Sequence, residues 1–260
     1  MKPQLQRARH LAQQHLWPLR VNRLAFIGRR LTNHWVLVHR GQSSITGPVT
    51  VWDLGRERRL AYSEGHRDTT QSVMFTRGSW AQIEREYWGR ALRPPRALPA
   101  HPRVLIAGLG GGTMVHLAAR NLSPAAITVI ELDPEIVATA RTQLGLDSID
   151  DVRYLTGDVF DMLAALSSDE TFDLIVEDIF FDSWNAQAPG RMEFLVDQLT
   201  SRLTPGGTLV ANRWFAGYDG KVMDTGQAEL ERLLTERGFV VSRTRIKQRW
   251  FNELIFAHRP

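Results

Sequence analysis

Hydrophobic and polar positions follow two different rhythms on either side of residue 100. Before it, HWVLVHRG (34–41) and GPVTVWDLGRERRLAYSEG (47–65) alternate apolar with polar residues and are rich in Val, Trp and Tyr. That pattern predicts short antiparallel strands. Ser79 and Gln82 have the spacing of a capping box, which predicts a helix over SWAQIEREYWGRAL, residues 79–92, stopped by Pro94 and Pro95. Further upstream, Leu5, Ala8, Ala12 and Leu16 recur at helical spacing until Pro18. RPPRALPAHP, residues 93–102, has the composition of a linker.

After the linker, strand and helix signals alternate. RVLIAGL, AITVIEL, DVRYLTGD, FDLIVEDIF and TPGGTLVANRW read as five strands. TMVHLAARNL, VFDMLAAL, RMEFLVDQLTSRL and GQAELERLLTERG read as helices, as does the stretch that Asp133 caps, Pro134 opens and Gly145 closes. VVSRTRIKQ and NELIFAHR predict a closing hairpin. Regular alternation of this kind implies an α/β fold with a mostly parallel, doubly wound, Rossmann-like sheet. The expected organisation is a basic arm over residues 1–40, a small β-rich region with a helix over 41–98, and a nucleoside-binding domain over 99–260.

Candidate chemistry begins where the first of these strands ends, in GLGGGT. Gly108 permits a tight turn, while Gly110 and Gly112 allow a ligand to approach the backbone. Thr113 stands where a dinucleotide fingerprint has Gly or Ala. Glu131, at the end of the second strand, is placed to accept both hydroxyls of a ribose. Asp158, after the third, is placed either to accept from an adenine amino group or to cap the following helix. Together these residues suit a nucleoside without a pyrophosphate, as in S-adenosylmethionine.

Composition narrows the field. The chain has 260 residues and no cysteine, which excludes disulfides, thiol catalysis and thiolate metal sites. No apolar run is long enough to span a bilayer and no signal-peptide pattern appears, so a cytoplasmic protein is expected. The eight histidines show no metal-ligand spacing, and His116 is expected on a helix surface. The net charge is +4, yet no acidic residue precedes Asp53. That basic arm is open to three readings: a solvated or oligomer-contacting segment, an organelle transit segment, or a nucleic-acid or membrane-surface patch.

The motifs VLIAGLGGGT, VIELDPEIVATAR, LTGDVFDML, FDLIVEDIF and LTPGGTLV are shared with class I S-adenosylmethionine-dependent methyltransferases. With TTQSVMF and a helix carrying Tyr87 upstream, residues 45–258 resemble the spermidine synthase family, the polyamine aminopropyltransferases. The resemblance implies the class I methyltransferase fold, decarboxylated S-adenosylmethionine or its carboxylated parent as donor, an amine acceptor and a homodimer. It also implies that Gln71, Ser72 and Tyr87 line the cleft and that Asp178 is the base; Glu177 or Asp182, as neighbouring acids, are candidates to support it.

Several positions depart from the family. Phe181 replaces the second Asp of the fourth-strand motif, Gly111 replaces an Asp of the glycine loop, and Trp88 stands where Gln or His is usual. Phe180, Phe181, Trp184 and Trp214 would add aromatic surface near the acceptor. Methylation of a small, partly apolar acceptor, a nucleoside-binding module without turnover, and RNA methylation guided by the basic arm are therefore alternatives to aminopropyl transfer.

Overall fold

The structure, a computed structural model, describes residues 34–63, 70–179, 190–215, 222, 225–247 and 251–260. The predicted helix over Leu5–Leu16 lies outside them, as do Phe180, Phe181, Asp182 and Trp184. Among the described residues no helix is long and apolar enough to cross a membrane.

The first rhythm folds into a four-stranded antiparallel sheet in sequence order: β1 (Val36–Ser43), β2 (Gly47–Leu54), β3 (Glu57–Ala61) and β4 (Thr70–Phe75). A short turn of 3-10 helix (Ile83–Arg85) and α1 (Tyr87–Ala91) follow. This corrects the single helix expected over 79–92. The segment breaks at Glu86, whose backbone is extended, and doubles back on itself. A Cβ at Gly89 would collide with the Glu84 backbone, so the fold-back depends on that glycine. Tertiary packing of Trp80, Ile83, Tyr87 and Trp88, all buried, overrides local helix propensity here.

The second rhythm gives β5 (Arg103–Ala107), α2 (Thr113–Asn121), β6 (Ala126–Glu131), α3 (Pro134–Gln143), β7 (Val152–Thr156), α4 (Val159–Ala165) and β8 (Phe172–Glu177). Then come α5 (Arg191–Ser201), β9 (Leu203–Trp214), α6 (Gln227–Glu236), β10 (Val240–Lys247) and β11 (Phe251–His258). The seven-stranded sheet has the order β10-β11-β9-β8-β5-β6-β7. Strands β5 to β9 pair in parallel, and the β10–β11 hairpin runs antiparallel against β9.

Both faces of this sheet are covered, which is why β5 reads as an unbroken apolar run. Its alternate side chains enter two cores. Val104 and Ile106 join a cluster with Val51, Val73, Trp80 and Trp88 from the small sheet and α1. Leu105 and Ala107 join the opposite cluster with Leu195, Leu199, Leu230 and Leu234 of α5 and α6. The small sheet therefore packs as a layer on one face of the large one. A buried Arg58 fixes its angle, donating to both carboxylate oxygens of Asp53 at 2.7 and 2.8 Å and to the Gln143 carbonyl at the end of α3. Such a pair owes its value to orientation more than to net stability.

Candidate active site

Strand order reverses at β5, whose neighbours are β6 and β8. A crevice opens beyond the carboxyl ends of the strands at such a point. The structure has a cavity of about 430 Å³ there, within the size range of small-ligand sites. Its walls include Gly108 and Gly110 of the loop, Glu131, Asp158 and Asp178 from three strand ends, and Gln71, Ser72 and Tyr87 from the small sheet and α1. Seven of the eight expected site residues thus meet in one place, with Ser72 beside them.

Gly112 stands apart. It does not line the cavity, and a Cβ there would strike the Leu146 side chain. Its positive φ of 80° starts α2, so its freedom serves the turn and close packing. At Gly108 a Cβ would meet the Asp178 carbonyl, so this glycine lets the loop cross the end of β8. The Gly110–Gly111 turn is held by the small sheet, because Gly111 N–H donates to Ser72 Oγ at 2.6 Å. A side chain at position 111 would run into Ser72, Leu60 and Leu144, so the position faces packed interior.

Glu131 holds the loop from the other side. Its Oε2 accepts from Leu109 N–H at 2.9 Å and its Oε1 from Asp133 N–H at 3.0 Å. A carboxylate offers about four acceptor directions, so capacity remains for a ligand's hydroxyls. Burial raises the Glu131 pKa, and the backbone N–H groups of Leu109, Asp133 and Gly110 oppose that rise by favouring the charged form. Asp158 takes the cap role and also lines the cavity. Its Oδ1 caps α4 by accepting from Phe160 N–H at 2.9 Å, and the residue lines the cavity 3.9 Å from Arg191.

At the opposite end, Asp178 follows β8 and is gripped on both oxygens. Asn212 Nδ2 donates to Oδ1 at 2.7 Å, and Tyr87 Oη donates to Oδ2 at 3.3 Å. Burial, which disfavours the charged form, pushes the Asp178 pKa up to about 7. The hydrogen bond from Asn212 opposes this, the neighbouring Glu177 charge adds to it, and Tyr87 and Arg213 oppose it. Glu177 does not face the cavity as a partner of Asp178. It is buried, pairs with Arg213 at 2.5 Å and accepts from Ile179 N–H.

A buried Asn amide can present either end, and here its direction is set from behind. Asn252 on β11 donates to Asn212 Oδ1 at 2.9 Å, which turns the Asn212 N–H group toward Asp178. Replacing Asn212 by Leu removes a hydrogen bond to a charged acceptor worth about 1.5–3 kcal/mol, so the Asp178 midpoint should rise by about one pH unit or more. Carboxyl-carbon NMR titration of the variant measures it, and an unmoved midpoint would refute the role given to Asn212.

Two residues of the site had no sequence signal. Tyr62, just past β3, lines the cavity, and its pKa is raised well above the ordinary value by burial and then by the charges of Glu131, Asp133 and Asp178. It is a protonated hydroxyl between the two ends of the site. Asn212 sits inside the apolar run TLVANRW, where only its polarity at a buried strand position hinted at a role. Trp88 stacks on Tyr87 with ring centroids 4.7 Å apart and also lines the cavity. Trp214 does not line it among the described residues. His116, expected on the surface, is buried against Trp80, with Nε2 2.7 Å from the Leu144 carbonyl. Trp80, on the segment after β4, and the Leu144 end of α3 cover the face of α2 that the periodicity left polar.

Residues 104–207 match the family model described as a methyltransferase domain. Polyamine aminopropyltransferase 2 of Streptomyces coelicolor is 33% identical over 103 residues, covering 37% of this chain and 18% of that protein. The eEF1A lysine and N-terminal methyltransferase of Danio rerio is 33% identical over 78 residues, covering 29% and 11%. The chain thus spans less than a fifth of either relative. Among solved structures, spermidine synthase from Thermotoga maritima superposes with a TM-score of 0.57 at 17% identity, covering 86% of this chain and 72% of that one. Human methyltransferase-like protein 13, in complex with SAH, gives 0.50 at 21% identity, covering 69% and 78%. Residues 104–207 thus match a methyltransferase domain, and the chain has the Rossmann-like methyltransferase fold expected of it.

Proposed function

We propose that this protein is a transferase that alkylates an amine from an adenosyl sulfonium donor, by aminopropyl transfer of the spermidine synthase kind. The observation that carries this is Asp178, a buried carboxyl group held by Asn212 and Tyr87, with its pKa pushed up to about 7 by burial, in one cavity with Glu131 at the neighbouring strand end. The site chemistry fits the donor. Glu131 has acceptor capacity left for ribose hydroxyls, Asp158 is placed for an adenine amino group, and Leu132, Val159 and Ile179 supply apolar wall.

The donor, when bound, supplies an electrophilic carbon on sulfur and leaves as a neutral thioether, so no acid is needed for the leaving group. The remaining work falls to the protein. It must align the two reactants and free the acceptor's lone pair. Asp178 takes the proton of the acceptor ammonium on a carboxylate oxygen. Asn212 and Tyr87 hold that carboxylate in place. Tyr62, Tyr87 and Trp88 give the cavity aromatic faces, which attract cations.

Decarboxylated donor is the better fit. Among the described lining residues the one cation is Arg191, which sits beside Asp158 and over the Phe160 ring, away from Asp178. A donor α-carboxylate at the reacting end would meet Asp178 without a described counter-charge. The superposition on spermidine synthase covers 86% of the chain, more than residues 103–260 could supply, which supports this reading. Methyl transfer is the second reading, favoured by the domain match over residues 104–207.

A donor panel separates the two. The purified protein is incubated with amines and either donor, and products are read by mass spectrometry. Methylthioadenosine from the decarboxylated donor is the expected product. Preferential formation of S-adenosylhomocysteine from the carboxylated donor would select methyl transfer instead.

A further inference from the structure

The tip of the β1–β2 hairpin belongs to the small sheet, yet it forms part of the cavity beyond the large one. Ser43 Oγ and Thr46 Oγ1 donate to the same oxygen of Asp133, Oδ2, at 2.6 and 2.8 Å. The other oxygen of Asp133 caps α3 through Glu135 N–H, and Asp133 N–H donates to Glu131. Gly41, on the same hairpin, lies so close to the Glu135 carboxylate that a Cβ would collide with it. The tip is therefore tied to the peptide segment that carries the ribose-type acid. Leu132 is the residue between Glu131 and Asp133.

Ile45, at the tip, and Leu132 both line the cavity, and their exposures are 50% and 48%. Most large apolar side chains of the described chain are buried. Two left in water at the mouth of one cavity mark a surface that a ligand covers. Asp158 also lines the cavity with an oxygen not used by its helix cap, and Val159 continues the apolar wall. An apolar cover beside one acceptor suits a flat, aminated heterocycle.

We infer that Ile45 contacts the adenine ring of the donor, closing the nucleoside end of the cavity together with Leu132, and that Ser43 and Thr46 are positioning residues that hold the hairpin tip there through Asp133. This rests on the adenosyl donor proposed above. It makes the small sheet part of the donor site, so that donor binding clamps the two sheets together.

Calorimetry on the full chain tests this, with S-adenosylhomocysteine and methylthioadenosine as probes. Both carry the same adenine, so Ile45→Ala should weaken both by the same factor, about three- to tenfold, since roughly half a buried isoleucine contact is lost. The melting temperature without ligand should stay at the wild-type value, because the side chain is half in water. Ile45→Leu should keep most of the affinity. The Ser43→Ala/Thr46→Val pair should weaken both probes in the same ratio, and Thr46→Ser alone should leave affinity intact. Wild-type affinity in Ile45→Ala, or weakening confined to one probe, overturns the adenine contact while leaving the donor reading in place. A wild-type chain that binds neither probe removes the donor reading and this inference with it.

Discussion

Replacing Asp178 by Asn is expected to lower turnover by about 10²–10⁴-fold, the range of a lost general base. The substitution is nearly isosteric. The Asn carbonyl can still accept from Asn212, and its amide can still reach the Tyr87 oxygen, so the loss would report on proton acceptance. In the wild type the base works only when ionised. With the Asp178 pKa pushed up to about 7, the rate should climb with pH up to that value and level off above it. Below the midpoint it should fall tenfold per pH unit. A flat pH profile together with a fully active Asp178→Asn protein would dispose of the catalytic role.

The same substitution has a signature in stability that does not depend on any substrate. The folded-state pKa of Asp178 lies above the ordinary carboxylate value of 3.8, so the folded protein holds this proton more tightly than the unfolded chain does. The stability it contributes is complete below pH 4 and is lost as pH rises to about 7. Asparagine does not titrate. The variant should therefore gain on the wild type as pH is raised from 4 to 8, by on the order of 2–4 kcal/mol. Melting curves at the two pH values check the sign. A variant that loses ground at pH 8 contradicts a buried, raised carboxyl group.

The second large effect is expected at Glu131. Two hydrogen bonds from a ribose to a charged acceptor are worth about 3–6 kcal/mol together, or about 10²–10⁴ in affinity. Glu131→Gln also sets an amide N–H₂ against one of the two backbone donors that the carboxylate now satisfies, Leu109 and Asp133. The glycine loop would lose part of its support along with the donor. Titration calorimetry with S-adenosylhomocysteine should show the loss. Asp158→Asn should cost less, because in the proposed donor pose Asp158 would offer the base a single bond, its other oxygen being spent on a helix cap. Unchanged affinity in Glu131→Gln would show that the nucleoside lies elsewhere.

The interpretation of the altered family positions changes once the packing is known. Gly111 stands where the resemblance expects an Asp at the donor's reacting end, but its missing side chain faces Ser72, Leu60 and Leu144. Its change goes with tight seating of the small sheet on the loop. Trp88 in place of Gln or His brings a ring into the cavity wall beside Tyr87, which moves the acceptor side toward apolar and aromatic surface.

What the chain encodes locally could be read from its letters. The alternation of β1 to β4, the unbroken apolar strands of a sheet covered on both faces, the Asp133 and Asp158 caps and the acids at strand ends all follow from period, propensity and hydrogen-bonding capacity within a few residues. The strand-end acids converge because parallel strands bring their carboxyl ends to one edge. Other features were decided only by residues far apart in sequence. Asn252 turns Asn212 toward Asp178 from a strand 40 residues away, Ser43 and Thr46 reach Asp133 across about 90, Trp80 and Leu144 enclose His116, and packing of Trp80, Ile83, Tyr87 and Trp88 breaks the helix at Glu86. The physical reason is one of range. A backbone cap or a side-chain period is satisfied by near neighbours, whereas a buried polar group takes whichever partner the packed sheets bring to it, and its chemistry is set by that partner.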